Sequence, residues 1–385
     1  MGKTVFVGLS GGVDPKVERY AHTTGQAAPS VNKTVFVGLS GGVDSAVAAM
    51  LLKEKGFNVV GVFIKIWQPE FIECNWAKER LDAMRVAVAL GIPFRETDLS
   101  YEYEEGVVRR MIDGYSMGIT PNPDVLCNRH IKFGSFLDYA KKEGADFIAT
   151  GHYARLEESN GVFSLLRAYD ISKDQSYFLY TLEQSDLSHT LFPVGGLKKY
   201  EVRALAKKAR LPVAGKPDSQ GLCFVGDVTM KDFLSRFIKL KKGAVLDVNG
   251  VEVGTHDGAP LYTIGQRHGF FVQHKNPETK AYYVVRTNAS ANTVSVSANL
   301  KDAKCSGVLL NKINWISSEP VLPIEAFTQS RYHEMPVKSL ISKTGERVTV
   351  MFGEPHISSP GQSLVIYDGD KCLGGGFVAE SVNIE

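Results

Sequence analysis

Cysteine is scarce in this 385-residue sequence: Cys74, Cys127, Cys223, Cys305 and Cys372 are all there are. An odd number, widely scattered and without a CxxC pair, argues against a disulfide scaffold or a zinc site and for a reducing compartment. Long apolar runs are missing too, so no stretch reaches the roughly 18 residues that a membrane-spanning helix needs. The N-terminus lacks the basic, then apolar, then small-residue pattern of a secretory signal. A cytoplasmic protein with no membrane partner is therefore expected. Net charge is small, with 44 Lys and Arg against 42 Asp and Glu. That balance neither implies nor excludes a nucleic acid, because a local basic patch matters more than the total. The length exceeds what one hydrophobic core serves, so about two or three domains are expected.

What is present begins with a repeat. Lys3–Asp14 and Lys33–Asp44 both read KTVFVGLSGGVD. The second copy runs on into Ser45-Ala46-Val47-Ala48-Ala49-Met50-Leu51-Leu52, an alanine-rich helical run that stops before Gly56. The first runs into Asp14-Pro15 and a polar stretch without helical period. One tandem copy is no solenoid, and residues 1–32 are expected to be a duplicated leader without function.

From residue 33 strands and helices alternate. Thr34–Leu39 and Val59–Ile66 read as buried parallel strands, and Phe94–Leu99 and Asp146–Thr150 read as further strands. Trp76–Leu90, Phe136–Glu143, Tyr200–Ala209 and Met230–Lys239 read as helices. This rhythm predicts an α/β fold, a doubly wound parallel sheet with its site beyond the strand carboxyl ends. After about Gly243 short alternating runs sit between turn signals: Val245–Val248, Tyr282–Arg286, Thr293–Val296, Val308–Leu310, Arg347–Phe352 and Ser363–Tyr367. They predict a small β module followed by a C-terminal β-barrel. The expected division is 33–225 (ATP-binding catalytic domain), 226–297 (a helix plus the β module) and 298–385 (the barrel).

The segment Gly38-Leu39-Ser40-Gly41-Gly42-Val43-Asp44-Ser45, between a strand and a helix, has phosphate-binding character. Adjacent glycines let the backbone turn sharply and approach an anion, and their N–H groups join those of the helix start in a positive nest. Ser40 and Ser45 add hydroxyls, and Asp44 is placed to hold Mg2+ bound to phosphates. No Gly-Lys-Ser/Thr follows, so this is not a Walker A loop.

Two cysteine segments come next. In Thr120-Pro121-Asn122-Pro123-Asp124-Val125-Leu126-Cys127-Asn128, Asn122 suits an N-cap and Pro123 the first helical position. Asp124 and Cys127 would then share a helix face. Cys223 lies in the polar, glycine-bearing run Asp218-Ser219-Gln220-Gly221-Leu222-Cys223-Phe224, which suits a loop. Either thiol taken alone reads most simply as structural.

Together the motifs resemble one family, the tRNA-specific 2-thiouridylases of the MnmA type, within the PP-loop ATP pyrophosphatases. They are GLSGGVDS (38–45), TPNPDVLCN (120–128), ATGHYAR (149–155), KDQSYFLYTL (173–182), DSQGLCF (218–224), TIGQRHG (263–269), RYH (331–333), SPGQS (359–363) and CLGGG (372–376). The resemblance implies an ATP site at Gly38, Leu39, Ser40, Gly41, Gly42, Val43, Asp44, Ser45, Ile64 and Gly151. It implies a target-base segment at Asn122, Pro123 and Asp124, with Cys127 and Cys223 as paired catalytic cysteines and Asp124 as the acid/base candidate. His152, Lys173, Asp174, Gln175, Arg331, Tyr332 and Gln362 match tRNA-contacting positions. The implied reaction uses ATP and Mg2+ to adenylate O2 of the wobble uridine, U34, of Lys-, Glu- and Gln-type tRNAs. Sulfur then arrives on a Cys223 persulfide from a cysteine desulfurase or relay protein, leaving a Cys127–Cys223 disulfide. A monomer is expected.

The competing expectations are another PP-loop ligase acting on a small metabolite, which needs no cysteine pair, and an RNA-binding protein without activity. Cys74 reads as a surface or packing thiol, and Cys305 and Cys372 as structural ones. Gly374–Gly376 reads as a bulge or tight strand end. Lys198-Lys199, Lys207-Lys208 with Arg210, and Lys239 with Lys241-Lys242 suggest a track for a phosphate backbone. Deleting residues 1–32 should leave 2-thiouridine formation unchanged or raise it; nucleoside mass spectrometry of the product tRNA would expose a loss.

Overall fold

Alternation along β1 (Thr34–Gly38) sets the first layer: Val35 and Val37 face one side of the sheet and Phe36 the other, all fully covered. The computed structural model describes residues 32–72, 76–218, 228–273 and 281–383. The first copy of the repeat, Cys74 and the segment 219–227 with Cys223 lie outside the described residues.

After β1 come helix α1 (Val43–Glu54), strand β2 (Asn58–Lys65), helix α2 (Trp76–Leu90) and strand β3 (Phe94–Asp98). A long helical stretch follows: α3 (Ser100–Tyr103), α4 (Arg110–Ser116), α5 (Pro123–Cys127) and α6 (Phe136–Lys142). Between α3 and α4 the chain widens into a π-turn over Glu104–Arg109, and it does so again over Asn128–Ser135, directly after α5. Strand β4 (Phe147–Ala149) leads into the hairpin β5 (Ala154–Ser159) and β6 (Val162–Arg167). Helix α7 (Gln184–Leu187), strand β7 (Thr190–Leu191), helix α8 (Lys199–Lys208) and helix α9 (Met230–Leu234) complete this part. The sheet is parallel, in the order β3-β2-β1-β4-β7. One face packs on α1, α2 and α8 through Val47, Ala83, Val202 and their neighbours. The other packs on the helical stretch 100–142. The expected doubly wound α/β fold is what forms.

Helix α9 is shorter than the expected Met230–Lys239. Past Leu234 the amides of Phe237 and Ile238 both bond back to the Leu234 carbonyl, and Phe237 lies 5.0 Å from Phe233, ring to ring.

The second sheet comprises β8 (Gly243–Leu246), β9 (Glu252–His256), β10 (Phe270–Val272), β11 (Tyr283–Asn288) and β12 (Thr293–Ser297), in the order β10-β9-β8-β12-β11. The third holds β13 (Cys305–Trp315), β14 (Ile324–Gln329), β15 (Val337–Thr344), β16 (Arg347–His356), β17 (Ser363–Asp368) and β18 (Lys371–Val382). Their order β13-β16-β15-β14-β17-β18 closes by pairing β13 with β18, giving an antiparallel barrel. The expected run Val308–Leu310 is the middle of β13. Leu373 is the extra residue of a bulge opposite Ile366–Tyr367, at the edge of the glycine run.

Hairpin β5–β6, absent from the sequence reading, joins the barrel's sheet: Leu165 and Leu166 pair with Cys372 and Lys371 of β18. The two parts share one core, in which Tyr177, Tyr180 and Leu182 pack with Ile316, Val365, Tyr367 and Cys372. The buried Tyr177 hydroxyl donates toward the Ser330 and Ser363 carbonyls, at 3.1 and 3.0 Å. Asn314 Nδ2 donates to the Tyr180 and Leu182 carbonyls from the barrel side.

Tyr177→Phe should therefore cost about 1–3 kcal/mol, the penalty of a lost buried donor. Urea unfolding followed by far-UV circular dichroism and by tryptophan fluorescence should still give one shared transition. Two separated transitions would show that the α/β part and the barrel do not share a core.

Candidate active site

The phosphate-binding candidate forms where β1 ends and α1 begins, at the carboxyl edge of the sheet. Gly41 has φ +70°, a conformation open to glycine at little cost, and a Cβ there would lie 2.5 Å from the Glu79 carbonyl oxygen. Gly42 caps α1 without a side-chain bond. The two serines brace the turn: Ser45 Oγ accepts from Ser40 N at 3.3 Å, lies 3.3 Å from Ser40 Oγ, and donates to the Gly42 carbonyl. Lys216 Nζ grips the loop from outside, 3.0 Å from both the Gly41 carbonyl and Asp82 Oδ2. Gly151 presses against the helix start, and a Cβ there would lie 2.7 Å from Ser45 N and 2.8 Å from the Asp44 carbonyl carbon. Ile64 closes the floor, with its Cδ1 3.7 Å from where a Gly38 Cβ would be. Gly38, Leu39, Val43, Ile64 and Gly151 thus gather around one turn.

Asp44 is engaged differently from expectation. Both of its carboxylate oxygens accept from Lys199 Nζ at 2.8 Å, and Oδ1 also accepts from the Tyr153 hydroxyl at 2.9 Å. Among the described residues no group of three or more His, Cys, Asp or Glu could hold a metal ion. With both oxygens on Lys199, Asp44 could hold a magnesium ion only by releasing that ammonium.

The cysteine segment sits on its own helix. Asn122 Oδ1 accepts from Asp124 N and Val125 N at 3.2 and 3.3 Å, with Pro123 in the first turn. Asp124 and Cys127 follow on α5, and the half-buried Cys127 packs against the main core. The Asp124 side chain is open to solvent, yet the protein wall around it pushes its carboxyl above the usual range, against the opposing pull of Lys132. Lys132 also stands 3.4 Å from His152 Nε2, and the sequence reading gave it no part.

Loops from all three parts of the chain meet just before α5. Thr120 Oγ1 lies 2.9 Å from Thr263 Oγ1 of the second sheet's region, and the Thr120 carbonyl accepts from Gln362 Nε2 of the barrel at 3.1 Å. Arg331 Nη2 donates to the Ile264 carbonyl at 2.7 Å. Tyr332 packs at a tilt on Phe178 with ring centres 4.5 Å apart, and burial, with the nearby Asp174 and Asp124 charges, pushes its hydroxyl up to about 12.

The residues matched to tRNA contacts divide into two sets. Lys173, Gln175, Arg331, Tyr332 and Gln362 are half-buried. His152 and Asp174 are buried instead, at 8% and 7% exposure. His152 packs on Phe133 and Phe192 and bonds Thr150 Oγ1 at 2.7 Å, and burial, followed by the Lys132 charge, keeps its ring neutral. Asp174 accepts from Ala168 N, Ser176 N and Ser176 Oγ. Both sit beneath the surface, where a direct contact with a large ligand is closed to them. Gln175 Oε1 accepts from Tyr153 N at 2.9 Å, fixing the strand that follows Gly151. Cys223, the expected partner of Cys127, lies outside the described residues.

Known proteins match this chain along most of its length. Residues 33–227 match the family model described as the tRNA methyl transferase HUP domain, and 231–298 the tRNA methyl transferase PRC-barrel domain. Residues 305–378 match the Aminomethyltransferase beta-barrel domain. The chain is 41% identical over 343 residues to the tRNA-specific 2-thiouridylase MnmA of Enterococcus faecalis, covering 87% of this chain and 92% of the relative. It is 41% identical over 390 aligned positions to the same enzyme of Ralstonia nicotianae (99% and 97% covered). Against that of Nitrosococcus oceani it is 42% identical over 382 positions (97% and 96% covered).

Gly151→Ala forces a methyl group into the backbone at the start of α1, an overlap worth ~1–3 kcal/mol. ATP affinity measured by calorimetry should fall about tenfold or more, and the melting temperature should drop by a few degrees with the overpacking; unchanged affinity would remove Gly151 from the site.

Proposed function

Since the chain belongs to the family of tRNA-specific 2-thiouridylases, we propose that it adenylates the wobble uridine, U34, of Lys-, Glu- and Gln-type tRNAs and replaces O2 with sulfur. It is a sulfur-transferring enzyme acting on tRNA, with ATP as co-substrate. The observation that carries the detailed reading is the segment Thr120–Cys127, which sets an acid/base carboxyl and a thiol on one short helix held by all three parts of the protein.

The uridine is extruded from its stack to reach Asp124, with Asn122 and Pro123 shaping its seat. As O2 attacks the α-phosphorus, the proton on N3 passes to the Asp124 carboxylate and pyrophosphate leaves toward Gly38–Ser45. O2 is then part of a good leaving group. Cys223 carries sulfur as a persulfide handed over by a cysteine desulfurase or relay protein. Its terminal sulfur bonds to C2 and AMP departs; Cys127 attacks the inner sulfur of the persulfide, leaving the Cys127–Cys223 disulfide and the thiocarbonyl. An external thiol returns both cysteines to the reduced state. Magnesium enters as the companion of ATP, and no step needs it on a protein ligand. Lys173, Gln175, Arg331, Tyr332 and Gln362 supply the tRNA-facing surface, with His152 and Asp174 fixing it from below. The enzyme works as a monomer in the cytoplasm.

Purified protein given ATP, magnesium, a persulfide donor and U34 tRNA should yield 2-thiouridine by nucleoside mass spectrometry, and none in Cys127→Ser or Cys223→Ser. Thiolation by either variant would break the two-cysteine scheme. The ionised Asp124 that accepts the proton is lost as pH falls through its raised value. The acidic limb of the rate should therefore lie above the ordinary aspartate value of about 3.9, and the residual rate of Asp124→Asn should lack it.

A further inference from the structure

Helix α8 has two faces. Val202 and Ala206 bury one of them in the core on one side of the parallel sheet. Tyr200, Ala204, Lys207 and Lys208 are exposed, and their spacing sets them along a single side of the helix. The Tyr200 side chain is 67% exposed, and among the described residues no ring packs on it. A lone exposed ring needs no explanation, but this one stands at a junction with others. Tyr169 and Ile171 are 48% and 56% exposed, and their segment is bonded to the chain entering α8. Asp170 Oδ2 accepts from Lys199 N, and Tyr169 N donates to the Gly195 carbonyl, both at 2.9 Å. Lys198 Nζ lies 5.8 Å from the centre of the Tyr169 ring. The acids of the junction are occupied locally: Asp170 also accepts from Ser172 N and Oγ, and Glu201 Oε2 from Lys198 N. What α8 turns to solvent is an aromatic ring followed by cations.

The junction is continuous with the candidate site. Lys199, between Lys198 and Tyr200, bonds Asp44 in the first turn of α1 and also Asp218. Lys173 bonds the same Asp218 at 3.2 Å. Lys207 and Lys208 lie about 10 to 12 Å further along the helix axis than Tyr200, roughly three steps of a nucleic-acid strand.

We propose that the exposed side of α8 is a seat for single-stranded RNA. An unpaired base of the substrate's anticodon loop stacks on Tyr200, and the adjoining phosphates follow Lys198, Lys207 and Lys208. Every base has a flat face, so a ring accepts whichever nucleotide accompanies the extruded uridine. The lysines add charge without sequence preference. A ring at the head of a row of cations matches a strand in which bases and phosphates alternate. This rests on the reading of the substrate as a U34 tRNA.

The test is fluorescence anisotropy of the full chain with a labelled U34 tRNA, over a range of salt and without ATP. Tyr200→Ala should weaken binding about fivefold or more, the effect of one base losing its aromatic partner, with the salt dependence unchanged. Tyr200→Phe keeps the ring and should bind within about twofold of the starting protein. Lys207→Met together with Lys208→Met should instead lower the salt slope by about one or two. Position 200 is exposed and alanine suits a helix, so the variants should melt with the starting protein. Unchanged tRNA affinity in Tyr200→Ala, or an equal loss in Tyr200→Phe, overturns the proposal. So does a Tyr200→Ala chain that binds tRNA normally but thiolates slowly only with a protein persulfide donor, since the face would then receive a protein. A starting protein that binds no tRNA removes the substrate reading itself, which separates the two failures.

Discussion

A buried guanidinium constrains much of this molecule. Arg167, at the end of β6, is 8% exposed, and an unpaired charge at such depth costs several kcal/mol. Its partners come from both sides of the joint between the α/β part and the barrel. Asp174 Oδ2 is 3.7 Å away, Gln329 Oε1 accepts at 3.2 Å, and the guanidinium lies 3.8 Å over the Tyr367 ring. Satisfying Arg167 requires the hairpin, the 173–180 segment and strands β14 and β17 to be in place together. Once they are, Tyr332 rests on Phe178, and Gln362 reaches Thr120. The segment Thr120–Cys127 is thus tied, through Gln362, to this polar joint.

The α/β sheet was legible because β1 and β2 are short apolar runs and helices such as α2 and α8 carry a 3.6-residue period. Helix α2 spans the expected Trp76–Leu90. The tight turn between β1 and α1 was legible because adjacent glycines flanked by serines break a strand before a helix. Hairpin β5–β6 was missed although its turn, Asn160-Gly161, is a strong hairpin signal with φ of 52° and 77°. Its strands belong to a sheet whose other members lie some two hundred residues further on (Leu166 pairs with Lys371), and local pattern does not carry such partners.

Exposure was also hidden. A motif match carries the identity of His152 and Asp174 but not their depth, and both lie under the surface they were expected to form. Lys198 and Lys199 look alike in sequence, as part of one basic run. The phase of α8 sends the first to solvent and the second to Asp44, and adjacent helical positions differ by about 100°. Long-range pairing decided what composition left open.

The π-turns at Glu104–Arg109 and Asn128–Ser135 bear on how this chain can change over time. Each fits more residues into a turn than an α-helix does, so each behaves as a retained insertion whose surplus the helix has absorbed. The second stands between Cys127 and the core anchor Phe136. Losing one residue there would let the helix tighten and rotate everything downstream by about 100° relative to the thiol. Side-chain replacements along 128–135 leave that phase intact, whereas a single deletion does not. Length, more than composition, sets the phase of this stretch.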